Sequence, residues 1–265
     1  MAEILTIKDI EDIEKISDNL DIKCTLALVS EFWDVNSCAI VKNGVPIGVA
    51  LSAEPYDAKI KAVDCNPVEA IGASIAFSKT IDLITAKALS RMNFNTVISA
   101  EIENEARKYL EKCKSKIIEI GFRLDVYKKF LSENAKLELT PKGFKVATKL
   151  KPSQEQVEDM VFAWKILKNI KKEGIIIAKD FKTRAIELNT TADSVEIAMN
   201  KACDGSKEAI LAISKNIVDS KILHPMIQGR ITGIIEPKNY EGKDSEVIKT
   251  AEKYGITIIT VGENE

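Results

Sequence analysis

Residues 153–178 constrain the fold of this chain most, because they combine the pattern of an amphipathic helix with that of a buried strand. Ser153 can cap such a helix, and Gln156 stands at the capping-box spacing three residues on. Apolar residues then recur at steps of three and four: Val157, Met160, Val161, Trp164, Leu167 and Ile170. The continuous apolar run at 175–178 is typical of a strand that is covered on both faces. A helix that leads into a buried strand predicts an α/β protein.

The same kinds of element recur on both sides of this stretch. Asn43 and Gly44 separate two apolar runs, at 38–42 and 47–51, which predicts a hairpin. The other predicted elements are helices at 8–20, 64–70, 80–92, 103–112, 192–202 and 245–254, strands at 24–29, 96–100, 116–120, 210–213, 232–235 and 256–261, and a second hairpin at 175–188.

Both halves therefore follow the order hairpin, helix, strand, helix, strand, which we interpret as a degenerate internal repeat. Weak periodicity between 121 and 142 indicates a connector. We predict a first α/β lobe at 1–121, a connector at 122–145 and a second α/β lobe at 146–265.

Composition narrows the possible functions. The net charge is -2, so no overall field attracts nucleic acid or a membrane surface. No apolar run approaches the roughly 20 residues of a membrane-spanning helix, and the acidic start does not resemble a signal peptide. The 5 cysteines form no CxxC pair, which is typical of reduced thiols in the cytoplasm. With 1 histidine, a zinc site or other metal site is not expected.

The segment Phe162-Ala163-Trp164-Lys165, followed by Ala178-Lys179-Asp180, resembles the centre of a known enzyme domain. It is the AICAR formyltransferase domain of the bifunctional purine-biosynthesis enzymes, which reads there as a Phe-Ala-Trp-Lys helix and then Ile-x-x-Ala-Lys-Asp. The likeness extends from about residue 40 to about residue 260. It implies two similar three-layer α/β/α lobes of the cytidine-deaminase type without zinc. The absence of an H-x-E…P-C-x-x-C signature agrees with this expectation.

The resemblance also implies a reaction and its partners. The family transfers a formyl group from 10-formyltetrahydrofolate to the exocyclic amine of the ribotide AICAR. Because that amine is a poor nucleophile, the site must remove a proton from it and stabilise a tetrahedral oxyanion. The resemblance implies a cytoplasmic homodimer whose site lies between two chains, with a ribotide and a folate as ligands and no metal.

The first site segment retains the family's lysine but not its histidine. Where the family has Lys-His-x-Asn-Pro-Cys-Gly, this chain has Lys42-Asn43-Gly44-Val45-Pro46-Ile47-Gly48. The resemblance implies a catalytic role for Lys42 and ligand contacts for Asn43 and Gly44. Asn43 cannot act as a general base near neutral pH. Without the resemblance, the same residues would be interpreted as an exposed hairpin tip.

The second site segment, residues 64–72, corresponds to the family's Cys-Asp-Pro-Val-Ser-Ala-Phe-Gly. We predict that Asn66 and Pro67 open a helix whose amides, with Gly72 nearby, hold a phosphate or another polar group of the substrate. The alternative is that Asn66 and Pro67 are only an N-cap and the first helical residue.

In the second lobe, this chain has Lys172-Glu173-Gly174 where the family has Ser-Asn before its strand, and we predict that Glu173 and Gly174 contact substrate. The same prediction covers Pro225, Met226 and Gln228, which fall where the family has Phe-Phe-Pro-Phe-Arg-Asp. We expect that the family's substrate-contacting loop Gly-Ala-Gly-Gln-x-Ser-Arg, its basic C-terminal tail and its cyclohydrolase domain are missing.

The only histidine, His224, is a candidate for the missing base, because its unperturbed pKa lies near neutrality. The hypothesis requires His224 and Lys42 to point into one cavity, and the alternative is a structural loop residue.

These substitutions leave three functions open: formyl transfer by a divergent AICAR-formyltransferase-like protein, binding of a purine ribotide or folate without turnover, and completion of a site on another chain.

Overall fold

The computed structural model describes residues 4–7, 12, 19–120, 124–133, 143–238 and 246–262. The chain divides into two compact units, Met1–Lys136 and Leu137–Glu265. Each unit combines a mixed β-sheet with helices, so the predicted α/β class is confirmed. The cytidine-deaminase relationship and the lobe boundaries stay predictions.

The first unit contains these elements: β1 (Ile4–Thr6), α1 (Leu20–Ser30), β2 (Ser37–Lys42), β3 (Val45–Leu51), α2 (Pro55–Cys65), β4 (Ser74–Ile81), α3 (Leu83–Leu89), β5 (Thr96–Ile102), α4 (Asn104–Leu110), β6 (Lys116–Glu119) and α5 (Leu124–Glu133). Its strand order is β1-β6-β5-β4-β2-β3. The hairpin β2–β3 and the pair β2–β4 are antiparallel, whereas β4, β5, β6 and β1 run parallel.

The second unit contains these elements: β7 (Phe144–Val146), α6 (Gln154–Leu167), β8 (Gly174–Lys179), β9 (Lys182–Leu188), α7 (Ala192–Ala202), β10 (Ile210–Ile213), α8 (Leu223–Gln228), β11 (Gly233–Pro237), α9 (Glu246–Lys253) and β12 (Thr257–Val261). Short 3-10 turns lie at Cys203–Ser206 and Ser220–Ile222. Its strand order is β9-β8-β10-β11-β12-β7. Again the hairpin is antiparallel to its neighbour β10, while β10, β11 and β12 run parallel.

The two units share one order of elements and one contact at the start of the hairpin. The amide of Ser37 donates to Ser78 Oγ at 2.9 Å in the first unit. The amide of Gly174 donates to Ser214 Oγ at 2.8 Å in the second unit. Ser78 lies in the second half of β4, Ser214 directly follows β10, and each serine is followed by a lysine. The internal repeat therefore extends from the order of elements to individual hydrogen bonds.

Helices cover both faces of the hairpin strand β2. Cys38 and Ile40 pack in one core cluster with residues of α2. Ala39 and Val41, which alternate with them, are also fully buried but lie outside that cluster. Side chains alternate between the faces of a strand, and α1 contacts β2 and β4. The continuous apolar run of β2 thus reflects burial on two sides.

The local signals of the central helix are confirmed. Ser153 Oγ accepts the amide of Gln156 at 3.2 Å, and Gln156 Oε1 accepts the amide of Ser153 at 2.8 Å. The hairpins at Asn43-Gly44 and at 175–188, the helices at 103–112, 192–202 and 245–254, and the strands after residue 96 are also confirmed, within a few residues at their ends.

Other predictions were wrong. The strand at 24–29 is part of α1, which Asn19 caps by accepting the amides of Asp21 and Ile22. A short apolar run does not distinguish a strand from a helix that is buried on several sides. The helix at 80–92 begins only at Leu83, because β4 extends to Ile81 and Asp82 caps α3. The helix at 8–20 falls mostly outside the described residues.

Gly48 lets β3 approach α2 closely, which leads to a stability prediction. A Cβ on Gly48 would lie 1.9 Å from the carbonyl oxygen of Ala62. We expect Gly48→Ala to lower the free energy of unfolding by roughly 1–3 kcal/mol, since the backbone must move. In Gly205→Ala, the control, the nearest atoms belong to the flexible Arg184 side chain, at 3.2 Å or more. Urea unfolding of both variants measures the effect, and equal stabilities would contradict this account of β3 packing.

Candidate functional site

Lys42 ends β2 and meets the turn at residues 66–72, so the two predicted site segments of the first unit come together. Lys42 Nζ donates to Glu69 Oε2 at 3.2 Å and to the carbonyl oxygen of Ile71 at 3.0 Å. The Lys42 side chain is 30% exposed and that of Glu69 is 52% exposed. The ammonium is therefore fixed in position and still accessible to a ligand.

The hairpin tip next to Lys42 has a backbone that explains its sequence. Asn43 and Gly44 have φ values of 54° and 73°. Two consecutive positive φ values are typical of the type I′ turn, for which Asn-Gly is the preferred pair. Asp21 Oδ1 accepts the amide of Gly44 at 2.6 Å and fixes the tip to α1. Asn43 is exposed, so it is open to a ligand although it cannot serve as a base.

The turn at residues 66–72 corrects a prediction. Asn66 does not open a helix: α2 ends at Cys65, and Asn66 follows it as the C-cap. An Asn-Pro pair fits a turn as well as a helix start, and the apolar face of α2 lies before it. Asn66 Oδ1 accepts the amide of Glu69 at 3.2 Å, and Gly72 has a φ of 75°. This turn holds Glu69 and Ile71 in contact with Lys42, and Pro67 is exposed on it.

The lysine contact at the hairpin end recurs in the second unit. Lys179 Nζ donates to Glu208 Oε2 at 3.0 Å and to the carbonyl oxygen of Lys207 at 3.1 Å. Asp159 accepts the amides of Asp180 and Phe181 at the hairpin tip, at 2.9 and 2.8 Å. The lysine–glutamate pair at the end of the hairpin is thus a repeated feature of the fold, and the pair alone does not indicate a function for Lys42.

The surroundings of the two pairs differ. Val68 and Ile71, next to Glu69, are 75% and 55% exposed. The surface near Lys179 has an ion pair between Arg184 and Asp180, and its exposed apolar side chain is Phe181, at 37%. Apolar exposure beside the Lys42 pair suits a ring-shaped ligand or a protein partner.

Glu173 and Gly174 lie at the start of β8 in the second unit, beside the carboxyl end of the neighbouring strand β10. Thr190 Oγ1 donates to Glu173 Oε2 at 2.6 Å, and Lys215 Nζ lies 3.4 Å from Glu173 Oε1. These contacts, the Thr190 hydrogen bond first, lower the pKa of Glu173. Glu173 is therefore an ionised carboxylate, and Gly174 is the first residue of β8.

Glu236 is a buried carboxyl group that sequence reasoning missed. It lies in β11, is 4% exposed, and accepts the amide of Ile217 through Oε2 at 2.8 Å. Burial raises its pKa to about 7, against the opposing effect of the Ile217 hydrogen bond. Its only sequence signal was a glutamate at the end of an apolar run, Gly233-Ile234-Ile235-Glu236.

The predicted site residues of α8 have different environments. His224 is exposed and lies in the second unit, and its role as general base stays a prediction. Met226 is fully buried in the core of the second unit. Pro225 and Gln228 line a cleft of about 370 Å³.

A larger cleft, of about 630 Å³, opens in the first unit and was not predicted. Lys79 lines it together with Asp34, Glu54, Asp82 and Glu103. Two of these carboxylates have structural partners: Asp82 Oδ1 accepts the amide of Thr85 at 2.7 Å, and Glu103 Oε2 accepts that of Leu83 at 3.2 Å. Asp82 and Glu103 in this cleft thus stabilise the N-terminus of α3.

Within the described ranges, no group of three or more His, Cys, Asp or Glu side chains is arranged to hold a metal ion. In the same part of the chain, no helix has the length and apolar character needed to cross a membrane.

Comparison with known proteins identifies relatives. A family model described as AICARFT/IMPCHase bienzyme matches residues 16–201. The bifunctional purine biosynthesis protein PurH of Aquifex aeolicus (strain VF5) is 33% identical over 259 residues, 92% of this chain and 50% of the relative. PurH of Thermoanaerobacter sp. (strain X514) is 30% identical over 253 residues, 91% of this chain and 49% of the relative. The chain thus spans about half the length of these relatives.

A solved structure, Acinetobacter baumannii RibD, form 1, aligns with 92% of this chain and 75% of its own, at 11% identity and a TM-score of 0.32. A similarity this low supports no argument about fold or function.

Glu236 predicts a pH dependence of stability. Its folded-state pKa of about 7 lies above the ordinary value of 4.5, so the folded protein binds this proton more tightly than the unfolded chain. Below pH 4.5, this difference in proton binding at Glu236 contributes roughly 3 kcal/mol to the free energy of unfolding. The contribution is lost as pH rises through about 7.

We expect Glu236→Gln, which stays neutral and can still accept the Ile217 amide, to gain stability relative to the parent as pH rises. Denaturant unfolding at several pH values compares the two proteins. A difference that is constant between pH 4.5 and 8 would contradict the elevated pKa.

Proposed function

Since this chain belongs to the AICARFT/IMPCHase bienzyme family, we propose that it is a divergent AICAR formyltransferase domain. It would transfer the formyl group of 10-formyltetrahydrofolate to the amine of a purine-precursor ribotide. The reaction would proceed in the cytoplasm without a bound metal. Family membership and the retained lysine at the end of β2 support this proposal.

Lys42 is the observation that carries the proposal. Glu69 and Ile71 accept hydrogen bonds from its Nζ, and an ammonium group has three donors. Its exposed fraction of 30% leaves room for a ligand oxygen. A fixed positive charge at that place would stabilise the oxyanion that forms when the amine attacks the formyl carbon.

Further ligand contacts are proposed for each unit by itself. In the first unit, Asn43 and Gly44 would contact the ligand beside Lys42. In the second unit, the exposed Glu173 and Gln228 are candidate contacts, whereas Gly174 and Met226 are buried.

We further propose a homodimer with a shared site. Leu20, Val68 and Ile71 are 47%, 75% and 55% exposed around the Lys42 edge, which suits an isologous interface with apolar character. Sedimentation that shows a monomer at micromolar concentration would exclude the shared site.

Binding of a ribotide or folate without turnover is the second candidate. One observation favours it: the contact of Lys42 recurs at Lys179, so the fold alone explains the retained lysine. The family histidine is also replaced by Asn43, which has no basic group. A ligand that raises the melting temperature without being converted would support this candidate.

Lys42→Ala and its counterpart Lys179→Ala separate the structural and functional roles of the lysine. Both variants lose the same pair of contacts, but only Lys42 lies at the proposed site. With AICAR and 10-formyltetrahydrofolate, we expect the parent to release tetrahydrofolate and Lys42→Ala to be slower by roughly 10²-fold or more. Lys179→Ala should keep the parent rate. No turnover by the parent, or equal rates in both variants, would contradict formyl transfer that depends on Lys42.

A further inference from the structure

Glu69 occupies the position that a proton acceptor needs in the first unit. We propose that Glu69 takes over the function of the missing histidine and removes the proton from the attacking amine. This inference rests on the proposed formyl transfer and goes beyond it, because it assigns the base. Glu69 stands where the related family segment has a serine.

The turn fixes the Glu69 carboxylate beside Lys42. Its Oε2 lies 3.2 Å from Lys42 Nζ. The backbone of the turn is held by Asn66, whose Oδ1 accepts the Glu69 amide at 3.2 Å and whose carbonyl accepts the Ala70 amide at 3.1 Å. A base must lie within hydrogen-bond reach of the proton that it removes. A ligand oxygen bound to Lys42 would place its reacting amine within a few ångströms of this carboxylate.

Both Glu69 and its counterpart in the second unit are accessible, and it is the surroundings of Glu69 that differ. Its side chain is 52% exposed, so a ligand can reach the carboxylate. The neighbouring Val68 and Ile71 are also exposed, so a bound ring or partner surface would exclude water from the pair. Glu208, its counterpart in the second unit, is 78% exposed, and the surface near it has the ion pair between Arg184 and Asp180.

Two other candidates for the base lack this contact. Asn43 has no basic group, and among the described residues no hydrogen bond joins His224 to Lys42. Among the described residues, Glu69 is the side chain whose carboxylate accepts a hydrogen bond from Lys42.

The proposed step balances without another reactant. The amine nitrogen of the ribotide forms a bond to the formyl carbon, and the formyl oxygen becomes an oxyanion beside the Lys42 ammonium. Glu69 takes one proton from the amine nitrogen. When the intermediate collapses, the bond from the formyl carbon to N10 of the folate breaks, and Glu69 returns the proton to N10. The products are the formylated ribotide and tetrahydrofolate.

Glu69→Gln tests the assignment, with Glu208→Gln as its matched control. Each variant replaces the carboxylate of a lysine–glutamate pair by an amide of nearly the same shape. With AICAR and 10-formyltetrahydrofolate, we expect Glu69→Gln to lower kcat roughly 10²-fold or more, with a KM for the ribotide within a few-fold of the parent. Glu69→Asp, which keeps the carboxylate, should recover part of the rate. Glu208→Gln should match the parent.

The outcomes separate this inference from the proposed function. A parent without turnover refutes formyl transfer and the assigned base together. A parent with turnover and a Glu69→Gln variant within a few-fold of its rate refutes only the role of Glu69. An equal loss of kcat in Glu69→Gln and Glu208→Gln, with lowered melting temperatures in both variants, would show that the two lysine–glutamate pairs only stabilise the fold.

Discussion

Tight hairpin turns with left-handed backbone set the geometry of both units. The tip residues Asn43 and Gly44 have positive φ, as do Asp180 and Phe181. A carboxylate from the preceding helix accepts tip amides in each case, Asp21 in the first unit and Asp159 in the second. Because turn type and length fix the register of a hairpin, these contacts determine which residue ends the strand. In both units that residue is a lysine.

The position of the lysine side chain at the hairpin end depends in turn on the segment that follows the next helix. In the first unit, α2 stops at Cys65 so that residues 66–72 can return toward Lys42. Gly48 is required for this packing, since any side chain there would collide with Ala62. The retained Gly48 and Gly72 are therefore explained by backbone geometry and carry little information about a ligand. Lys42 and Glu69 are different, because the partly exposed lysine and the exposed glutamate lie beside exposed apolar side chains.

The parts of the structure that could be predicted from the sequence depend on neighbours in the chain. The capping box of α6 and the Asn-Gly hairpin involve residues within three positions of each other. The pair Lys42 and Glu69 joins residues that are 27 positions apart, so its geometry depends on where α2 ends. The buried hydrogen bond of Glu236 likewise joins it to Ile217, which is 19 positions away in the chain. The segment at Asn66 misled us because an Asn-Pro pair fits both a helix start and a turn.

The central claim is that an amine-bearing ribotide binds at the Lys42 and Glu69 pair of the first unit. A crystal structure of the full chain with AICAR tests it most directly. The account predicts a ligand oxygen within hydrogen-bond distance of Lys42 Nζ and the ligand amine facing the Glu69 carboxylate. Density for AICAR elsewhere, with the contact between Lys42 and Glu69 undisturbed and without ligand, would contradict the account.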